Sequence, residues 1–218
     1  MQFAAFETST EWCSVALWRD GEIAALERRA GNRHSDLALP MLERLLAAAG
    51  IRAAELGAVA FGAGPGSFTG LRIACGLAQG LAFASGVPVI GISTLEAMAE
   101  ESGAARVVAC LDARMREVYY SALEKDAGRW NEVVAPRCVS PDAVAPMGAD
   151  WVGCGNGFAV YGNLGMTRVL PEVHPTAIAV ARLAAPRLAA GEGVDAALAA
   201  PVYVREKVAF TKAELEAR

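Results

Sequence analysis

The sequence predicts a mixed α/β protein built twice over, in which three antiparallel strands are extended by parallel strands with helical crossovers, and the theme then restarts in reduced form. Three observations predict this. Residues 2–28 read as three short strands; a strand, a glycine-rich turn and an apolar helix follow one another over residues 57–84; and the strand, turn, strand theme of residues 3–18 returns at 107–123.

Taken in order, residues 3–6 are an apolar run, residues 13–18 alternate, Asp20-Gly21 is a hairpin turn, and residues 22–28 return. The turn between the first two strands, Glu7-Thr8-Ser9-Thr10-Glu11, carries carboxylates and three hydroxyls, the chemistry of an ordinary polar turn or of a phosphate contact. Helix signals begin near residues 32–35. Leu37, Met41, Leu42, Leu45 and Leu46 form one stripe, Pro40 should kink the helix, and Gly50 stops it. His34, at the start, reads as a cap or a neighbour contact. A strand over 87–92 and a helix from Ser93 or Thr94, with Glu96 in its first turn, complete the order βββαβαβα. That is an RNase H-like arrangement.

Gly103 marks the boundary, giving units of 1–102 and 103–218. The second restarts with strands at 107–111 and 117–123 around the turn Asp112-Ala113-Arg114-Met115-Arg116, and a third near 130–134. Its crossover shrinks to 141–145. Residues 150–157 are a strand running into glycines, 177–188 a helix with Pro186 near its end, and 201–205 a piece that packs back onto the body. Residues 211–218 form a polar, loose tail. Asp112 reads as a turn aspartate before it reads as a catalytic one.

The central stretch, residues 61–72, brings a strand into a turn with glycines at 62, 64, 66 and 70 and leaves it as a helix. Gly64-Pro65-Gly66-Ser67-Phe68-Thr69-Gly70 is spaced GxGxxxG, which misses the dinucleotide fingerprint by one position and lacks the lysine of a P-loop. Pro65 and Thr69 around Ser67 exclude the GxSxG nucleophile elbow. Such a turn serves close packing or a phosphate, with Gly64, Gly66, Ser67, Glu7, Thr8 and Ser9 the candidate contacts. The helix after it is apolar all round, with Gly76, Gly80 and Ala84 as a stripe of small residues. Either its second face is buried in the chain's own core or it meets another subunit.

Composition narrows the function classes. A hydrophobic fraction of 54% and 22 glycines mark a packed globular chain. Net charge of −4 argues against a chain that holds nucleic acid by itself. The uncharged run 73–95 is interrupted by Gly, Ser and Pro and reads as helix, turn and buried strand rather than a membrane span, and the start lacks a signal peptide's basic region. Five scattered cysteines without a CxxC pair predict free thiols and a cytoplasmic location. Two histidines cannot build a convincing zinc site or histidine triad.

The stretch from Gly64 to Arg72, the turn from Asp112 through Tyr119, and the closing Pro201-Val202-Tyr203-Val204-Arg205 together resemble the bacterial TsaB (YeaZ) family across nearly the whole chain. The resemblance implies an actin-like ATPase superfold of two RNase H-like lobes, the second reduced. It also implies a non-catalytic partner of TsaD, which transfers threonylcarbamoyl to adenosine 37 of tRNAs reading ANN codons. TsaD holds its metal on an HxxxH pair. The matching positions here are Thr94 and Met98, so no metal site and no cofactor is expected on this chain, ATP and the metal belonging to its partners. By the same resemblance the interface with TsaD, or with a second copy when the chain is alone, comprises His34, Leu37, Met41 and Leu45 of the first helix. Thr69, Arg72, Ile73, Gly76, Leu77, Gly80 and Ala84 of the second helix complete it. TsaE would join through TsaD, and tRNA only indirectly. Glu7 stands where many TsaB chains carry aspartate. The competing readings are an ATP-dependent small-molecule kinase of the same superfold, for which the second half looks short, and a peptidase, for which nucleophile and metal are lacking.

Overall fold

A computed structural model describes residues 1–205; the expected polar tail, 211–218, lies outside the described residues. Two five-stranded sheets carry the fold. The first contains β1 (Gln2–Glu7), β2 (Trp12–Arg19), β3 (Glu22–Arg29), β4 (Ala58–Gly64) and β5 (Val89–Ser93) in the order β3-β2-β1-β4-β5. The second contains β6 (Arg106–Asp112), β7 (Val118–Asp126), β8 (Arg129–Val139), β9 (Val152–Cys154) and β10 (Arg168–Leu170) in the order β10-β9-β6-β7-β8. Each sheet has three antiparallel strands continued by two parallel ones, with the same connectivity. The duplication expected from the strand order is therefore present.

The crossovers are where the halves differ. In the first, α1 (His34–Ala49) and α2 (Phe68–Ser85) lead to β4 and β5; in the second, a single turn at Pro141–Ala143 and the short α4 (Asn156–Tyr161) take their places. Neither β10 nor α4 has a sequence signal strong enough to be anticipated, because three residues and six residues are too short to display a period. Strand β8 runs five residues past the expected end, to Val139, with irregular pairing near Ala122. Pro40 lies inside α1, which continues through it.

Alternation along β1 divides the core of the first sheet. Ala4 and Phe6 face α1 and α2, meeting Met41, Leu42, Ala74, Cys75 and Ala78. Phe3 and Ala5 face the other way, onto α5 (Ala177–Ala189). The expected division at residue 103 separates the strands of the two sheets but not this helix. All strands of the second sheet lie beyond it, yet α5 packs on the first sheet through Ala177, Val180, Ala181 and Ala184, against Ala16, Ala58 and Ala60. Alanine on alanine brings helix and sheet close, and a composition this rich in alanine hides which sheet a helix will choose. Helix α3 (Thr94–Ser102) lies against the second sheet through Leu95 and Met98, which meet Val107 and Ala109.

The segment leading back into α5 is tied down by His174. Its ring stacks on Trp12 with centroids 4.7 Å apart, and its Nε2 lies 3.1 Å from the Glu27 carboxylate. That carboxylate hydrogen bond holds the imidazole pKa above its ordinary value, with burial opposing it. A base whose folded pKa is raised contributes stability that is complete below the unfolded value and disappears as pH rises through the folded one. Because the pair is partly exposed, its contribution should stay below about 1 kcal/mol. Replacing His174 by phenylalanine keeps a ring on Trp12 and removes the charge. The melting-temperature gap between wild type and H174F should therefore be wider at pH 5.5 than at pH 8.5, and a gap independent of pH would refute the ion pair.

Candidate functional site

The glycine-rich turn is filled by the chain itself. A Cβ on Gly62 would stand 1.8 Å from Oε2 of Glu7, one on Gly66 2.6 Å from Cβ of Ser9, and one on Gly70 1.9 Å from the Thr8 carbonyl oxygen. Only glycine admits such an approach. The Ser67 N–H donates to the Ser9 carbonyl at 2.7 Å, the Thr8 hydroxyl to the Gly70 carbonyl at 2.7 Å, and the Gly70 N–H to the Ser67 hydroxyl at 3.3 Å. Two N–H groups that an anion would use are thus already engaged, and these contacts support the packing role of the turn over the phosphate role. Gly64, at φ +119°, lies under the closing segment, where the Val202 N–H donates to the Ala63 carbonyl at 2.7 Å, and the Gly64–Pro65 peptide is cis.

Glu7, Thr8 and Ser9 are all buried. The Ser9 N–H donates to one oxygen of Glu7 at 2.6 Å, while Oε2 of Glu7 is buried without a partner. Desolvation raises the Glu7 carboxyl pKa, opposed by hydrogen bonds from the Ser9 side chain and from the Ser9 and Thr8 backbone. A carboxylate in this position would repel a phosphate.

Of the expected interface residues on α1, three serve the chain's own core. His34 is 6% exposed and its Nε2 lies 2.9 Å from the Thr10 carbonyl; Met41 and Leu45 are buried against the first sheet. Leu37 is half-buried beside a shallow groove with Leu26, Pro40 and Arg44. His34, Met41 and Leu45, expected at a partner interface, are thus buried within the isolated chain.

Helix α2 is different. Gly70, Leu71, Ala74, Cys75, Ala78 and Ala82 bury one face. On the opposite side Thr69, Arg72, Gly76, Gly80 and Ala84 are exposed and Ile73 and Leu77 half-buried. A Cβ built on Gly76 or Gly80 meets nothing within 4 Å. Phe83, 82% exposed, stands on the same side, and Phe68, 46% exposed, opens the helix. Neither phenylalanine is among the expected interface residues, although Phe83 continues the series Thr69, Arg72, Gly76, Gly80 at helical spacing.

Beside Phe68 is a cleft of about 280 Å³, lined by Pro65, Phe68, Leu71, Tyr119, Val202 to Val204 and Arg205. Arg72 places its guanidinium 3.8 Å over the Phe68 ring and donates to the Tyr203 hydroxyl at 3.1 Å. Arg205 donates to the Ala113 carbonyl at 3.0 Å and to Glu117 at 2.6 Å, joining the closing segment to the β6–β7 turn, while its Nε is buried without a partner. On that turn Asp112 accepts from the Arg114 N–H at 3.0 Å and the Tyr161 hydroxyl at 3.1 Å, as a turn aspartate does.

None of the five cysteines is set up as a nucleophile. Burial pushes the thiols of Cys13 and Cys110 up to about 11 and about 12, and raises that of Cys154 as well. Thr94 and Met98 are wholly buried in α3, and among the described residues no three His, Cys, Asp or Glu side chains gather as a metal site.

A family model described as TsaD, tRNA N6-adenosine threonylcarbamoyltransferase, matches residues 27–212. The chain is 37% identical to the tRNA threonylcarbamoyladenosine biosynthesis protein TsaB of Escherichia coli, over 97% of this chain and 98% of that one. It belongs to the TsaB family. The protein of the same name from Haemophilus influenzae is 36% identical over 95% of each chain. The solved structure of YeaZ from Pseudomonas aeruginosa superposes with a TM-score of 0.87 at 39% identity, covering 93% of this chain and 99% of that one. The duplicated sheets are thus an actin-like, RNase H-like fold. Among the described residues no helix is long and apolar enough to cross a membrane.

Proposed function

We propose that this chain works in the biosynthesis of threonylcarbamoyladenosine in tRNA as a non-catalytic, cytoplasmic subunit that binds TsaD through α2, with TsaE joining the pair. The observation that carries this reading is the open glycine face of α2. Gly76 and Gly80 lie on an exposed helix face where an added Cβ meets nothing within 4 Å, so glycine there answers no need of this chain's own packing. Glycine in a helix interior costs about 1 kcal/mol against alanine. A second helix approaching closely gives that cost a purpose. Thr69, Arg72, Ile73, Leu77 and Ala84 surround the glycines, and Phe83 supplies an aromatic anchor of the kind that dominates interfaces. An interface of this class buries on the order of 1,200–2,000 Å². Without TsaD the same face pairs two copies of the chain. ATP and the metal are held by the partners, and tRNA is reached through them.

The experiment is a reconstitution with the TsaC, TsaD and TsaE proteins of the source organism. Modified tRNA should form when this chain is present and fall to background when it is omitted, while the chain alone modifies none. Full modification in its absence would overturn the proposal.

A further inference from the structure

We propose that the cleft beside Phe68 receives an acidic peptide segment of a partner protein, with one aromatic side chain of that segment as its anchor. This deepens the partner-subunit reading and rests on it. At about 280 Å³ the cleft lies at or below the small end of ligand cavities, and suits a single large side chain better than a whole cofactor. Its walls are Pro65, Leu71, Val202 and the rings of Phe68, Tyr119 and Tyr203.

The rim has the residue types that concentrate binding energy at protein interfaces, tyrosine and arginine foremost. Phe68 and Tyr203 are 46% and 50% exposed, with centroids 5.6 Å apart, and Arg72 is held between them by its contacts with the ring and the hydroxyl. An arginine fixed in place before binding loses little further freedom on binding. The deeper arginine, Arg205, keeps its Nε buried and without an acceptor. A buried unpaired donor is costly, and a carboxylate is the acceptor that matches a guanidinium. Arg114, with a side chain 88% exposed, stands on the turn that Arg205 grips through the Ala113 carbonyl. Arg205 and Arg114 already pair with Glu117 and Asp112, so the case for an acidic visitor rests on Arg72, whose guanidinium is held at the rim by a ring and a hydroxyl rather than by a carboxylate. Phe68 and Arg72 also begin α2, so a protein lying along the open glycine face reaches the cleft with its edge.

The test uses the full chain and a capped five-residue peptide with phenylalanine at its centre and aspartates on both sides, titrated by calorimetry at low salt. Submillimolar binding is expected, with a loss of about thirtyfold in Y203A and in F68A, the effect of removing one anchor contact. The peptide with lysines for the aspartates should not bind. Equal binding of both peptides, undiminished binding in both variants, no binding of the aspartate peptide, or its displacement by AMP would each overturn the proposal. G80R separates this from the partner reading: it should lose TsaD and still bind the peptide. Loss of TsaD by G80R with no peptide binding by wild type would refute the cleft alone.

Discussion

Gly80→Arg should leave the chain folded and remove it from its complex with TsaD. On the folding side the substitution is benign, since the new side chain leaves from an exposed helix face with nothing within 4 Å of its Cβ. Replacing glycine in a helix interior even returns a few tenths to about 1 kcal/mol. On the binding side, in the proposed α2 interface, a long cation replaces a hydrogen where the partner helix would come closest. Separating the two helices forfeits packing across the interface, and burying an unpaired charge costs several kcal/mol more. Affinity should fall by at least about a hundredfold, from a loss of some 3 kcal/mol. Co-purification with tagged TsaD checks this directly, with melting temperature as the control for folding. Recovery of G80R with TsaD in wild-type amounts would sink the α2 interface.

Gly70→Ala, in the first turn of the same helix, should do the reverse and damage the fold. Its Cβ would lie 1.9 Å from the Thr8 carbonyl oxygen, an atom of the backbone, which cannot swing aside as a side chain would. The β1–β2 turn must move, and with it the hydrogen bond from the Thr8 hydroxyl to the Gly70 carbonyl. Overpacking of this kind costs about 3 kcal/mol, and the helix preference for alanine offsets about 1. A net loss near 2 kcal/mol is a large fraction of the 5–15 kcal/mol typical of a domain. Urea denaturation should show it as a lower midpoint with unchanged slope. Gly76→Ala, in the same helix, should raise the midpoint instead. If G70A were as stable as wild type, the close packing of the glycine turn on the first hairpin would be wrong.

These two predictions have opposite signs although the sequence writes both positions as glycine in one apolar helix. What separates them is which residues lie opposite in space, and this pattern recurs through the chain. The sequence by itself determined the element order of the first half and the restart of its three antiparallel strands in the second, because alternation, turn residues and helix stops such as Gly50, Gly86 and Gly103 act locally and leave a local trace. It also determined the family, through the motif from Gly64 to Arg72 and the segments around Asp112 and Tyr203. Tertiary structure alone decided that α5 returns to the first sheet, and that Met41 and Leu45 are spent on the core while Gly76 and Gly80 stay open. It also decided that Ser9 packs against Gly66 of the glycine turn. The physical reason is common to all of these. Periodicity reports that a residue has an apolar or close-packed neighbour, but the identity of that neighbour depends on contacts between segments far apart in the chain, to which a local pattern is blind.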